Sequence, residues 1–227
     1  TTGTVVFSCG LSDTAVAMSS TTGTIEANLT TIITEDADIA ITIPAGTAGT
    51  VAQLATIAGA TTGTVVFSCG LSDTAVAMAA TGGTIETNLT TIKTEDADIA
   101  ITVTGTAGTV AQLATISGAT TGTVVFSCGL SDTAVAMSST TGTIEGDLTT
   151  IKTEDGDIAI TVTGTAGTVA QLATIAGATT GTVVFTCGLS DTAVAMASTT
   201  GTIEANLTTI KTEDPDIAIT VPAGTAG

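Results

Sequence analysis

Across 227 residues the chain carries 21 acidic side chains against three Lys, with no Arg and no His, for a formal net charge of −18. That balance excludes a nucleic-acid partner, which needs a basic surface, disfavours an anionic membrane, and removes the commonest general base. Hydrophobic residues make up 43 %, almost all small aliphatics, and with no Trp, no Tyr and four Phe the core must be thin and closely layered.

The segment 1–9, TTGTVVFSC, returns at 61–69 and 120–128 and, as TTGTVVFTC, at 179–187, with starts 60, 59 and 59 residues apart. Self-similarity at a fixed period sets the architecture before local structure is considered. The chain parses into repeat units 1–49, 61–108, 120–167 and 179–227, joined by connectors 50–60, 109–119 and 168–178 of sequence TVAQLATIAGA or TVAQLATISGA. The first residue is Thr rather than Met, as expected of a chain from which a secretory signal has been removed, so the protein is expected outside the cell. No segment has the run of about 18 apolar residues needed to span a bilayer.

Within the first unit, Val5, Phe7 and Cys9 alternate with Val6 and Ser8, the period of a strand. Residues 10–13 read as a turn, 14–18 (TAVAM) as a second short strand and 19–23 as a loop. Residues 24–32 (TIEANLTTI) set Ile25 and Leu29 four apart, which suits a short helix, but their Thr content favours a strand. Residues 35–37 read as a turn, 38–43 (DIAITI) as an alternating strand, and the connector as a further strand with helix as the alternative. Turn signals every 8–12 residues indicate an all-β array. The expected fold is therefore all-β, with four tandem repeats of about 59 residues in a continuous β-array. The alternatives within it are a stacked β-solenoid or hoop and a chain of small β-sandwiches.

One cysteine falls at the same position of every repeat: Cys9, Cys69, Cys128 and Cys187. With no His and no CxxC pair, neither a zinc site nor a thiol nucleophile is expected. Two readings remain, a small buried hydrophobe or a disulfide staple between repeats or chains, the latter if equivalent strands pair in register. The acidic clusters Glu35/Asp36/Asp38, Glu95/Asp96/Asp98, Glu154/Asp155/Asp157 and Glu213/Asp214/Asp216 read as solvated turns, with a divalent cation as the sharper alternative. Asn28, Asn88 and Asn206 head N-glycosylation sequons, and the third repeat has Asp147 in that place. Ile33 stands where the other repeats carry Lys93, Lys152 and Lys211, which marks it as a candidate subunit contact. The outer units share a second signature, Pro44 and Pro222 in PAGTAG, where the inner units have TGTAG.

Four units are joined by three connectors, so one connector-like segment is missing from the set. If each unit needs a flanking strand, open edges at the two ends would pair between chains, head to tail. A non-closing contact of that kind gives a filament. In its repetition, Thr/Gly/Val richness and scarcity of Lys and Arg, the chain resembles, at class level, tandem-repeat microbial fibre, sheath and surface-layer subunits. The resemblance implies a structural homopolymer outside the cell, with divalent cations or glycans as further partners. It carries no motif and hence no functional residue. The expected function is a non-catalytic, self-assembling structural subunit without metal or cofactor. The alternative is a binding module, either an adhesin stalk or a Thr-rich ice-binding β-solenoid. An enzyme has least support, since no nucleophile–base pair is present.

Overall fold

The computed structural model describes residues 5–197 and 200–223. The chain divides into two compact units, Thr1–Gly105 with Thr115–Ser127, and Thr106–Ala114 with Cys128–Gly227. The outermost residues of the first and last repeats, and Ser198 and Thr199, lie outside the described residues.

In the first unit the chain runs β1 (Leu11–Ser12), α1 (Ala15–Met18), α2 (Ala27–Glu35), β2 (Ile41–Ile43), α3 (Val51–Ala58) and β3 (Val65–Phe67). The same series begins again at β4 (Leu71–Thr74), α4 (Ala75–Met78), α5 (Thr87–Glu95) and β5 (Ile101–Thr104). It continues through α6 (Val110–Ser117), whose residues up to Ala114 belong to the second unit, to β6 (Val124–Phe126). The second unit follows the series with β7 (Leu130–Thr133), α7 (Ala134–Met137), α8 (Gly146–Glu154), β8 (Ile160–Thr163), α9 (Val169–Ala176) and β9 (Val183–Phe185). It ends with β10 (Leu189–Ser190), α10 (Ala193–Met196), α11 (Ala205–Glu213) and β11 (Ile219–Thr220).

The fold is therefore mixed α/β, and the all-β expectation is overturned. Three segments read as strands are helices. Residues 14–18 hold α1, because Thr14 caps it by accepting the Ala17 amide. Residues 24–32 enter α2, where the Thr hydroxyls close on carbonyls four residues back: Thr30 to Glu26, Thr31 to Ala27 and Thr34 to Thr30. The β-branched residues thus satisfy their polar groups inside a helix. The connector is α3, opened by a capping box in which Thr50 Oγ1 accepts the Gln53 amide and Gln53 Oε1 accepts the Thr50 amide. Much of the turn chemistry in the sequence marks helix ends rather than hairpins.

All strand pairs in the sheets are parallel, which requires the crossover helices. The sheet orders are β1-β2-β3, β4-β5-β6, β7-β8-β9 and, among the described residues, β10-β11. The first two strands of each three-stranded sheet come from one repeat and the third from the next. Ile41, Thr42 and Ile43 stand opposite Val65, Val66 and Phe67, and the register recurs as Ile101↔Val124 and Ile160↔Val183. Such sharing of strands excludes a string of self-contained β-sandwiches. Equivalent strands fall in different sheets, so repeats do not stack residue over residue in a β-solenoid either.

The core of each repeat is small and aliphatic. Ile41, Ile43, Leu54, Ile57, Val65 and Phe67 are buried, while Val66 between the last two is exposed. Met18, Met78, Met137 and Met196 are buried too, on the short helices rather than along a strand row. Gln53 and Gln171 are buried polar side chains that join layers: each donates through Nε2, to the Ser19 and Ser138 carbonyls respectively, at 2.9 Å.

Candidate assembly site

Each third strand ends in a corner at which the chain steps from one sheet into the next. After Val65–Phe67 a turn closes with the Gly70 amide donating to the Phe67 carbonyl at 3.3 Å, and β4 starts at Leu71. Gly70 has φ +73°, a left-handed conformation that glycine adopts without strain. Cys69 sits in this turn, its Sγ donating to the Gly70 carbonyl at 3.1 Å. Cys9, Cys128 and Cys187 make the same contact.

All four cysteines are free thiols. The in-register pairing that a staple between repeats would use does not occur, because β3, β6 and β9 belong to three different sheets. Cys69, Cys128 and Cys187 are half-buried, and desolvation pushes each thiol above its ordinary pKa, against a smaller opposing effect from the Gly49, Gly108 or Gly167 amide. Cys9 is exposed.

The acidic clusters hold backbone. Asp36 Oδ2 accepts the Phe7 amide at 2.7 Å, and Asp96 and Asp214 accept those of Phe67 and Phe185, both at 2.9 Å. Each of these carboxylates follows a helix, and Asp96 and Asp214 close amides of the third strands β3 and β9. The Phe7 hydrogen bond lowers the Asp36 pKa. Asp96 goes the other way: desolvation raises it, and the neighbouring Asp98 charge adds to the rise. Among the described residues, no group of three or more His, Cys, Asp or Glu is placed to hold a metal ion.

A second set of carboxylates escaped the sequence reading. Asp73 accepts the Val51 amide at the start of α3 through Oδ2 (3.0 Å) and the Thr74 amide through Oδ1 (2.8 Å). Asp132 and Asp191 do the same for Val110 and Val169. One side chain thus ties the connector helix to the following repeat. The Thr-x-x-Gln capping box was the visible signal for that helix; nothing in the sequence pointed to the Asp that crosses to it.

The remaining candidates are dispersed. Asn28, Asn88 and Asn206 are exposed near the starts of α2, α5 and α11. Asn88 borders a shallow groove of about 350 Å³ with Ala52, Ala55 and Thr56 of α3. Ile33 is half-buried on α2, as Lys93 and Lys152 are on their helices, while Lys211 is exposed. Pro44 is exposed just beyond β2, and Pro222 is exposed beyond β11.

The structure singles out two surfaces that internal repeats cover. Ile219 in β11 is 44 % and Val221 just after it 49 % exposed, whereas the equivalent Ile160 and Val162 of β8 are 1 % and 0 % exposed. In the first repeat, Val5 and Phe7 are half-buried and Val6 is 73 % exposed, whereas Val65 and Phe67 are 1 % and 2 % exposed in β3. Val5, Val6 and Phe7 belong to no sheet among the described residues. Fold and surfaces together define a tandem α/β repeat held by strand sharing. No family model, no curated protein and no solved structure matches the chain.

Proposed function

We propose that the protein is a non-catalytic structural subunit that assembles with copies of itself into an extracellular polymer. The observation that carries this reading is the shared sheet. Each repeat completes the sheet of the one before it with a strand of nearly invariant sequence and constant register. A junction that works unchanged between successive repeats of one chain is a design that can propagate. Supporting it, the side chains that could do chemistry are spent on backbone: Asp36, Asp96 and Asp214 on strand amides, Asp73, Asp132 and Asp191 on helix starts. Thr hydroxyls are also turned inward, as with Thr56 and Thr174 on the Gly23 and Gly142 carbonyls, which disfavours an ice-binding Thr face. The extracellular setting is supported by a chain with three Lys and no Arg, a poor substrate for trypsin-like proteases.

Sedimentation velocity and electron microscopy across a concentration series, with and without reductant, test the proposal. Ordered polymers that persist in reductant are expected, because the thiols are free. Dispersed monomers at every concentration would sink it and turn attention to the binding-module alternative.

A further inference from the structure

The three Asn-Leu-Thr sequons fall at one place in the fold. Asn28, Asn88 and Asn206 are each the second residue of a helix, α2, α5 and α11. The residue that follows anchors that helix to the core: Leu29, Leu89 and Leu207 are all buried. The Asn before it and the Thr after it, Thr30, Thr90 and Thr208, are exposed in all three copies. Burial of the middle residue thus leaves both polar members of the sequon at the surface, as an acceptor site requires. Among the described residues, none of the three Asn side chains is engaged in a hydrogen bond.

Space is open beside two of them. Asn88 borders the groove of about 350 Å³ over Ala52, Ala55 and Thr56, and Asn206 borders an equivalent groove of about 220 Å³ over Ala170, Ala173 and Thr174. The hydroxyls on these floors are already bonded, Thr56 to the Gly23 carbonyl at 2.9 Å and Thr174 to the Gly142 carbonyl at 2.7 Å. A sugar joined to either Asn therefore meets a low, open surface and displaces no contact that the fold uses.

We propose that Asn28, Asn88 and Asn206 carry N-linked glycans. This rests on the extracellular setting of the reading above and adds a covalent modification to it. The donor is an oligosaccharide carried on a polyprenyl pyrophosphate. The Asn side-chain nitrogen bonds to the anomeric carbon of the first sugar, and the bond from that carbon to the pyrophosphate oxygen breaks. The lipid pyrophosphate leaves with the electron pair, and the amide nitrogen gives up one proton. Transfer comes before the helix closes, because the folded chain spends the sequon hydroxyl on backbone. Thr30, Thr90 and Thr208 donate to the Glu26, Glu86 and Glu204 carbonyls at 3.2, 3.3 and 3.4 Å. The third repeat supplies a control: on α8, Leu148 is buried and Thr149 exposed, but Asp147 has no amide to modify.

Cleavage after glutamate frees α2, α5, α8 and α11 each as one nine-residue peptide. Glycopeptide mass spectrometry reads these four peptides in the chain recovered from the producing cells and from their medium. A glycan is expected on the α2, α5 and α11 peptides and none on that of α8. In the same cells, Asp147→Asn should add a glycan to the α8 peptide. Thr90→Ala should abolish the glycan on α5, and Thr90→Ser should keep it. These readouts register transfer before folding, so a loss of stability in a variant does not mimic them. Unmodified α2, α5 and α11 peptides in chain recovered from the medium would overturn the glycans and leave the extracellular reading standing. Unmodified chain found only inside the cells would overturn both. An α5 glycan that survives Thr90→Ala would overturn the sequon as its cause.

Discussion

At Gly122 the approach of two backbones decides the residue. A Cβ there would run into the Asp98 carbonyl oxygen and stand 2.8 Å from that of Ile99. Neither obstacle can rotate away, so Gly122→Ala must move the entry to β6. The expected cost is about 2 kcal/mol or more, read as a lower urea midpoint. Gly146, with open space around its position, is the control, and Gly146→Ala should leave the midpoint unchanged or raise it. Two carboxylates of the same unit make an opposed pair. Asp36 has its folded pKa lowered from 3.8 by the Phe7 amide, so its contribution is present above that value and lost as pH falls through the folded pKa. Asp96 has its pKa raised from 3.8 by desolvation, so its contribution is present below that value and lost as pH rises through the folded pKa. Asp36→Asn should therefore destabilise at pH 7, and by progressively less as pH falls below 3.8. Asp96→Asn keeps an oxygen for the Phe67 amide and removes a disfavoured charge, so it should be neutral or stabilising at pH 7. Urea midpoints of the two variants at both pH values check the signs, and equal loss at pH 7 would show that the Asp96 charge is no burden.

At the scale of elements, the connector helix is fixed by polar side chains as well as by its apolar face. Gln171 is buried, completes the capping box with Thr168 and donates to the Ser138 carbonyl. Gln171→Ala removes both bonds and leaves a carbonyl in the core without that donor. The expected loss is about 2–3 kcal/mol in urea unfolding, against about 1 kcal/mol for Thr168→Ala. The strands give a matched contrast. Val125 in β6 and Val6 are equivalent residues, one paired with Thr102 and the other in no sheet among the described residues. Val125→Pro should cost about 3 kcal/mol, whereas Val6→Pro should leave the midpoint nearly unchanged. Equal losses would mean that Val6 is paired in the free chain. These elements show what could be read in advance. The Val-Val-Phe alternation and the Ile-Thr-Ile run announce strands, because their apolar period of two has no helical equivalent. The helices hid behind Thr: β-branched content argues for a strand only while the hydroxyl has no carbonyl four residues back to bond, and Thr30, Thr31 and Thr34 each do. The parallel pairing between repeats was hidden for a different reason. Short strands of like composition carry no local mark of which partner they take, and the Asp73 and Asp96 carboxylates that fix the order sit in segments that read as ordinary acidic turns. The candidate site was legible only as an argument about open edges, with neither register nor partner strand.

Over the whole molecule, the proposed assembly would work against charge. With −18 per chain and three Lys, copies repel until salt or acid weakens the field. The strand sharing seen between repeats is built from apolar side chains and backbone amides, which salt does not weaken. Raising NaCl from about 0.01 to 0.15 M shortens the screening length from roughly 30 to 8 Å. Polymer mass at fixed protein concentration should rise over that range, and rise again as pH falls toward the sequence pI of about 4.1. Acid also protonates Asp36, whose lowered pKa delays but does not prevent its loss of charge. At the lowest pH the Phe7 amide therefore loses its charged acceptor. Light scattering across a grid of salt and pH reads both effects. Polymer mass that falls with added NaCl at neutral pH would show that copies meet through paired opposite charges, and apolar strand sharing of the kind seen between repeats would then not be what joins them.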